Sequence, residues 1–153
     1  MTEATRARVY QWAYRLLQNH HDALDATQDV LLKWLRYAGR EIESGEAWLR
    51  RTTVNHCIDL IRKRRPIPMG DGAAAWQERD RRRVTDEDIR DRIAMGLSGL
   101  TDSQRAVVVA KVYDGQRFTT IAGSLQVSVS TVKTHYIRGL RALRASLADL
   151  GED

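Results

Sequence analysis

Apolar residues recur at the helix period along almost the whole chain, and the alternation that would mark strands is absent. Val9, Trp12, Ala13, Leu16 and Leu17 fall at i, i+3, i+4, i+7 and i+8, a stripe that only a helix gathers on one side. The spacing predicts a second helix from about Asp22 to Arg36, with Leu24, Thr27, Leu31, Trp34 and Leu35 on one side. Asp22, Asp25 and Asp29, with Gln28 beside them, share the opposite side. A third helix, from about Ala47 to Arg64, aligns Leu49, Cys57, Leu60 and Ile61, with Thr52 and Thr53 filling the gap. Threonine hydroxyls can bond to carbonyls one turn earlier, so the pair is tolerated there.

The pattern then stops. Pro66 and Pro68 disfavour helix in the residues before them, and Gly70 and Gly72 follow, which marks a linker. Periodicity resumes at Thr85 with Ile89, Ile93 and Leu97. Thr101 and Gln104 form a capping box ahead of "AVVVAKVY", and Gly115 is suited to a left-handed helix end. The expected fold is all-α: two small helical domains joined by a flexible linker, divided as residues 1–65, 66–84 and 85–153. At 153 residues and 42% hydrophobic, the chain can build cores, though not one large core.

Charge narrows the partners. The net charge of +5 is unevenly spread: residues 1–65 carry 12 Lys/Arg against 8 Asp/Glu, residues 66–98 carry 6 against 7, and residues 99–153 carry 7 against 5. Two basic pieces flanking a near-neutral connector suit a polyanion touched twice; an ordinary basic surface is the alternative. A single Cys57 cannot form an internal disulfide, which fits a reducing compartment. No apolar run approaches the ~18 residues of a membrane span and no export signal is visible, so the expectation is a soluble, cytoplasmic chain without membrane insertion. His20, His21, His56 and Cys57 show no ligand spacing and no paired carboxylate accompanies them, so neither an enzyme nor a metal or cofactor site is expected.

The segment "SVSTVKTHYIRGLRAL", residues 128–143, sharpens the reading. Ile121, Ala122, Leu125, Val127, Val132 and Tyr136 are spaced as the core of two helices crossing near a right angle, a helix-turn-helix. Ser128 is a good N-cap for the second helix. The outer face then carries Lys133, Thr134, Ile137 and Arg138, with Ser130 and Thr131 leading. Lys and Arg reach guanine edges or phosphates, and Thr and Ile can contact a thymine methyl. A solvated amphipathic helix is the plain alternative. Gln126 sits where a turn glycine would be comfortable, and Arg117 caps the first helix where Ser would serve better. His135 reads as a surface residue or phosphate contact.

"STVKTH…I…L" resembles the output domain of response-regulator activators as much as region 4 of bacterial sigma factors. The first half separates the two. "ALDATQDVLLKWLR" followed by "AWLRRTTVNHCIDLIRKRR" resembles region 2 of the extracytoplasmic-function (group IV, sigma-70 family) sigma factors, with Trp48, Leu49, Asn55, Asp59 and Arg62 on the family pattern. A receiver domain would need alternating strands and helices. The resemblance implies a promoter-specificity factor that binds bacterial RNA polymerase core and promoter DNA, with a probable anti-sigma factor as inhibitor. Asp25, Gln28 and Asp29 match the polymerase-binding face, and clustered carboxylates on a basic half suit a basic protein partner. The loop Tyr37–Glu46 matches the segment that captures a flipped base of the −10 element. Asn55 matches a position beside that pocket, where an amide can pair with a base edge, and Tyr37 and Trp48 offer stacking surfaces. Arg62, Arg64 and Arg65 suit the phosphates just upstream. Ser130, Thr131, Lys133, Thr134, Ile137 and Arg138 match the face that reads the −35 duplex. The competing readings are a stand-alone helix-turn-helix activator or repressor, and a sigma mimic that binds an anti-sigma factor.

Overall fold

The computed structural model describes residues 3–37, 45–64 and 86–148. The described residues form seven α-helices and one π-helical turn: α1 Glu3–Leu17, α2 His20–Tyr37, α3 Gly45–Lys63, α4 Asp86–Ser98, α5 Asp102–Val108, the π turn Val109–Tyr113, α6 Phe118–Leu125 and α7 Val129–Leu147. The all-α class is as the periodicity implies. Residues 38–44 of the expected base-capturing loop, and Arg65, lie outside the described residues.

In the first half, α1, α2 and α3 pack on one another. All five residues of the α1 stripe are buried. Gln18 ends α1 in the left-handed region (φ 55°), where its side-chain amide donates to the Arg15 carbonyl at 2.7 Å. The Asn19 carboxamide then accepts from the Asp22 amide at 3.0 Å and starts α2. The buried stripe of α2 is Ala23, Ala26, Thr27 and Val30, while Leu24 and Leu35 are exposed, Leu35 to 64%. This stripe is rotated by one residue from the expected one. Small Ala side chains let α1 and α2 approach closely, and the leucines are left outside. In α3 the buried residues are Leu49, Thr53, Val54, Cys57, Ile58 and Ile61, and the Thr53 hydroxyl donates back to the Leu49 carbonyl at 2.6 Å.

The second half opens with α4 and the Thr101 capping box, whose two reciprocal bonds with Gln104 are both present at 3.1 and 3.3 Å. From Val109 the helix widens to a π turn, in which the Asp114 amide donates to Val109 O five residues back. Gly115 follows at φ 67°, a conformation without steric cost only for glycine. α6 and α7 cross over a core of Ile121, Ala122, Leu125 and Val132. Gly139 lets α7 lie directly on α5: a Cβ there would meet Val108 Cγ2 at 2.7 Å.

The halves do not keep separate cores. One buried cluster runs from Ala13, Leu16, Val54 and Ile58 through Leu97, Val107 and Ile121, and a smaller one joins Val9, Trp12, Val30 and Leu49 beneath Trp34 and Trp48. The sequence left the arrangement of the two halves open; here α3 packs against both α5 and α6, and α1 against α4 and α5. Replacing Gly139 with Ala should destabilise the chain by about 1–3 kcal/mol through overpacking against Val108, read as a lower urea midpoint with an unchanged slope.

Candidate nucleic-acid interface

The reading helix is set by its first turn. Ser128 is extended (φ −73°, ψ 157°), and its hydroxyl accepts from the Thr131 amide at 3.1 Å. Just before it, Gln126 takes the left-handed conformation (φ 59°, ψ 46°) that the tight turn demands, at a cost of roughly 1–2 kcal/mol for a residue with a Cβ. Arg117 caps α6 without a side-chain bond. The Phe118 and Tyr136 rings meet edge to face, with centroids 5.2 Å apart, and lock α6 to α7. With Val132, His135 and Gly139 turned inward, Ser130, Lys133, Ile137 and Arg138 are exposed along the opposite side. Thr131 and Thr134 are half-buried; the Thr134 hydroxyl donates to Ser130 O at 3.1 Å. His135 is 8% exposed, which corrects its reading as a surface or phosphate-contacting residue. It lies one turn after Val132, so it belongs to the buried stripe.

The second surface lies on α3 and the end of α2. Trp48 is flanked by Trp34, with centroids 5.6 Å apart, and by Tyr37 at 6.0 Å. Tyr37 and Trp48 are therefore brought together as an aromatic cluster. Arg51, Asn55, Asp59 and Arg62 recur at i, i+4, i+8 and i+11 and share one side of the helix. Asn55 is exposed, and Arg62 is clamped to Asp59 by an ion pair within the helix. Arg64 pairs with Asp22 and donates to the Leu17 carbonyl at 3.2 Å, which ties the end of α3 to the α1–α2 corner.

A third surface lies on α2. Asp25, Gln28 and Asp29 are exposed, and so are Leu24, Leu32 and Leu35. The acidic face is therefore mixed with leucines, two of which, Leu24 and Leu35, the periodicity assigns to the inner stripe. Asp29 approaches His56 Nε2 at 3.4 Å and Lys33 approaches its Nδ1 at the same distance. Burial, then the Lys33 charge, lowers the His56 pKa below 6.5.

Periodicity gives no sign of four further residues. Asp114 and Gln116, from the turn after the π segment, reach across to α3. The Asp114 carboxylate, with its side chain 2% exposed, accepts from Arg51 Nε at 2.5 Å and faces Arg50 Nε at 3.4 Å. Gln116 Nε2 donates to Asp114 at 2.7 Å and to Asn55 Oδ1 at 2.9 Å. The signal in the sequence is thin: adjacent arginines inside an otherwise regular helix, and an Asp-Gly-Gln turn more than 60 positions away.

The Sigma-70 region 2 family matches residues 1–67, and the Sigma-70 region 4 family matches residues 90–143. The chain is 31% identical over 154 residues to the ECF RNA polymerase sigma factor SigK of Mycolicibacterium vanbaalenii, covering 95% of this chain and 79% of that protein. It belongs to the ECF sigma factors. SigW of Bacillus subtilis is 30% identical over 158 residues, covering 94% of this chain and 84% of that protein. SigE of Mycolicibacterium smegmatis is 32% identical over 149 residues, covering 92% of this chain but only 58% of the longer relative. The fold is shared with the sigma factor RpoE of Bartonella quintana, solved in complex with the anti-sigma factor NepR, at a TM-score of 0.52 and 20% identity over 95% of this chain and 92% of that one. The role of this ECF sigma factor is promoter-directed transcription initiation, and the family is not one of enzymes.

Because the folded pKa of His56 lies below its unfolded value of 6.5, the native chain binds fewer protons than the unfolded chain between the two. Stability should therefore rise with pH through that interval and fall on acidification. His56→Gln should flatten the slope of the urea midpoint between about pH 5 and 7.

Proposed function

We propose that the two halves divide the work of promoter recognition. Residues 1–65 bind core polymerase and the melted −10 strand, residues 66–84 connect, and residues 85–153 read the −35 duplex. The observation that carries this reading is the α7 face: a helix start pinned by Ser128, an inner stripe buried, and Ser130, Lys133, Ile137 and Arg138 left outward. Thr131 and Thr134 complete that face. An α-helix fits the major groove, and its N-terminal amides and basic side chains suit phosphates and guanine edges.

On the first half, Asn55 pairs with a −10 base edge, Tyr37 and Trp48 stack, and Arg62, Arg64 and Arg65 hold phosphates. Asp25, Gln28 and Asp29 engage a basic surface of the polymerase, and the exposed Leu24, Leu32 and Leu35 beside them give that contact an apolar centre. The chain itself makes and breaks no bond; synthesis belongs to the polymerase, in the cytoplasm. An anti-sigma factor is the expected inhibitor, in keeping with the complex known for RpoE of Bartonella quintana.

Run-off transcription on a genomic library, with purified core polymerase and with or without the protein, tests this. The protein should program new start sites. Asn55→Ala should lose initiation while still binding core. Arg138→Ala should cost about 1–3 kcal/mol of promoter binding if it reads a base edge. DNA binding on which core-driven initiation does not depend would make the chain a stand-alone activator. Binding to core or to an anti-sigma factor, without DNA binding or initiation, would make it a mimic.

A further inference from the structure

The two candidate DNA surfaces differ: the α7 face carries exposed side chains, whereas the second half contacts the α3 face at Arg50, Arg51, Asn55 and Arg62. Asp114 sits on Arg51, Gln116 on Asn55, and Gln126 Oε1 accepts from Arg62 at 3.5 Å. These are three of the four positions of the same α3 stripe, the fourth, Asp59, being paired with Arg62 and Lys63. Gln126 stands four residues before Ser130, so the start of the reading face lies within roughly 25 Å of the Arg62 guanidinium. Elements named −10 and −35 are about 25 base pairs apart, roughly 85 Å of duplex at 34–36 Å per turn. The packed chain cannot read both at once, so its halves must part.

Beside the shared apolar core, the polar contacts that hold them are chemically close to what α3 would bind. Arg51 grips Asp114 twice, through Nε on the carboxylate at 2.5 Å and through a terminal nitrogen on the backbone carbonyl at 3.3 Å. Arg50 adds a second guanidinium, which also lies over the Tyr113 ring, 5.8 Å from its centroid. A guanidinium fork takes a carboxylate or a phosphate by the same geometry. Gln116 occupies the Asn55 amide as a base edge would. The π turn and the positive φ of Gly115 aim both groups.

We propose that the Asp114–Gln116 turn is an internal ligand of an anion-binding surface on α3, built from Arg50 and Arg51 beside Asn55, and that single-stranded DNA phosphate takes the surface once the turn leaves. The inference rests on the reading of Asn55 as a −10 contact. The polar part of the joint is weak: an ion pair with its carboxylate buried gains little net of desolvation, and Gln116 Oε1 is buried without a hydrogen-bond partner. Arg50 and Arg51 remain one-third and one-half exposed, so they stay at the surface when the turn departs.

The test uses the full chain with dyes on cysteines introduced at the exposed Arg6 and Arg141, so that energy transfer reports closure. Cys57 is buried, its thiol pushed up to about 12 by burial, and stays unlabelled. Affinity is read by anisotropy with a fluorescent mixed-sequence single-stranded 20-mer. Asp114→Asn should lower transfer and tighten binding about tenfold, the gain expected where about one chain in ten is open before the change. Adding Arg50→Ala and Arg51→Ala should remove the gain. Arg51→Ala alone, at a half-exposed position that folding tolerates, should lower transfer without tightening binding. Unchanged transfer in both single variants overturns the latch, and opening without an affinity gain overturns the internal-ligand assignment. If Asn55→Ala loses run-off transcription while Asp114→Asn matches the unaltered chain in both assays, the −10 reading stands and this inference fails.

Discussion

The buried guanidinium of Arg105 is the contact on which the rest of the arrangement depends. Its Nε donates to the Leu16 carbonyl at 2.8 Å, and one terminal nitrogen donates to Leu100 O at 3.0 Å and Leu97 O at 3.4 Å. The other bonds Asp102 at 2.5 Å. Leu16 lies in the last turn of α1, Leu97 in the last turn of α4 and Leu100 just beyond it, where carbonyls lack the usual i+4 helical partner, though Leu97 O also accepts from the Leu100 amide at 3.1 Å. One side chain thus ends two helices and begins the third. Burial depresses the Arg105 pKa and Asp102 opposes that shift, so charge is retained where it can only be held by oxygen atoms. Around it Leu16, Ile58, Ile61 and Ile121 are fully buried, each contributing roughly 1.5–3 kcal/mol.

This apolar joint and the polar contacts on α3 are different kinds of bond. Burial of leucines and isoleucines holds the halves together without regard to salt, while the Asp114 cluster answers to polyanions. α3 connects the two. Its inner stripe, Val54, Cys57, Ile58 and Ile61, belongs to the common core, and its outer stripe carries Arg51, Asn55 and Arg62. A helix with both duties transmits what happens on one side to the other. By contrast α7 turns its inner stripe to α4, α5 and α6 and keeps the exposed Ser130, Lys133, Ile137 and Arg138 on the other side.

Local features were legible in the sequence and long-range ones were not. The α1 stripe, the Thr101–Gln104 capping box, the strained Gln126 and the Ser128 cap all depend on residues a few positions apart, where helix geometry fixes the outcome. The α2 stripe was misjudged because leucines were weighted over alanines. Packing distance favoured the small residues, and the leucines were left on a surface. His135 was read by its chemistry when its spacing from Val132 already placed it inside. The Asp114–Gln116 cluster joins residues about 60 positions apart, and nothing in periodicity reports such a pairing. The family, and with it the role in initiation, was legible because two separated motifs occur in the same order; the joint between them was not.

The π turn gives the contact between the halves an unusual lineage. A π turn is an α turn with one residue too many, and gain of a single codon inside a regular helix is enough to make one. The widened turn absorbs the added residue, so the chain on either side of it keeps its facing. The turn beside α3 can thus be reshaped in one genetic step, with no change in the residues that read DNA.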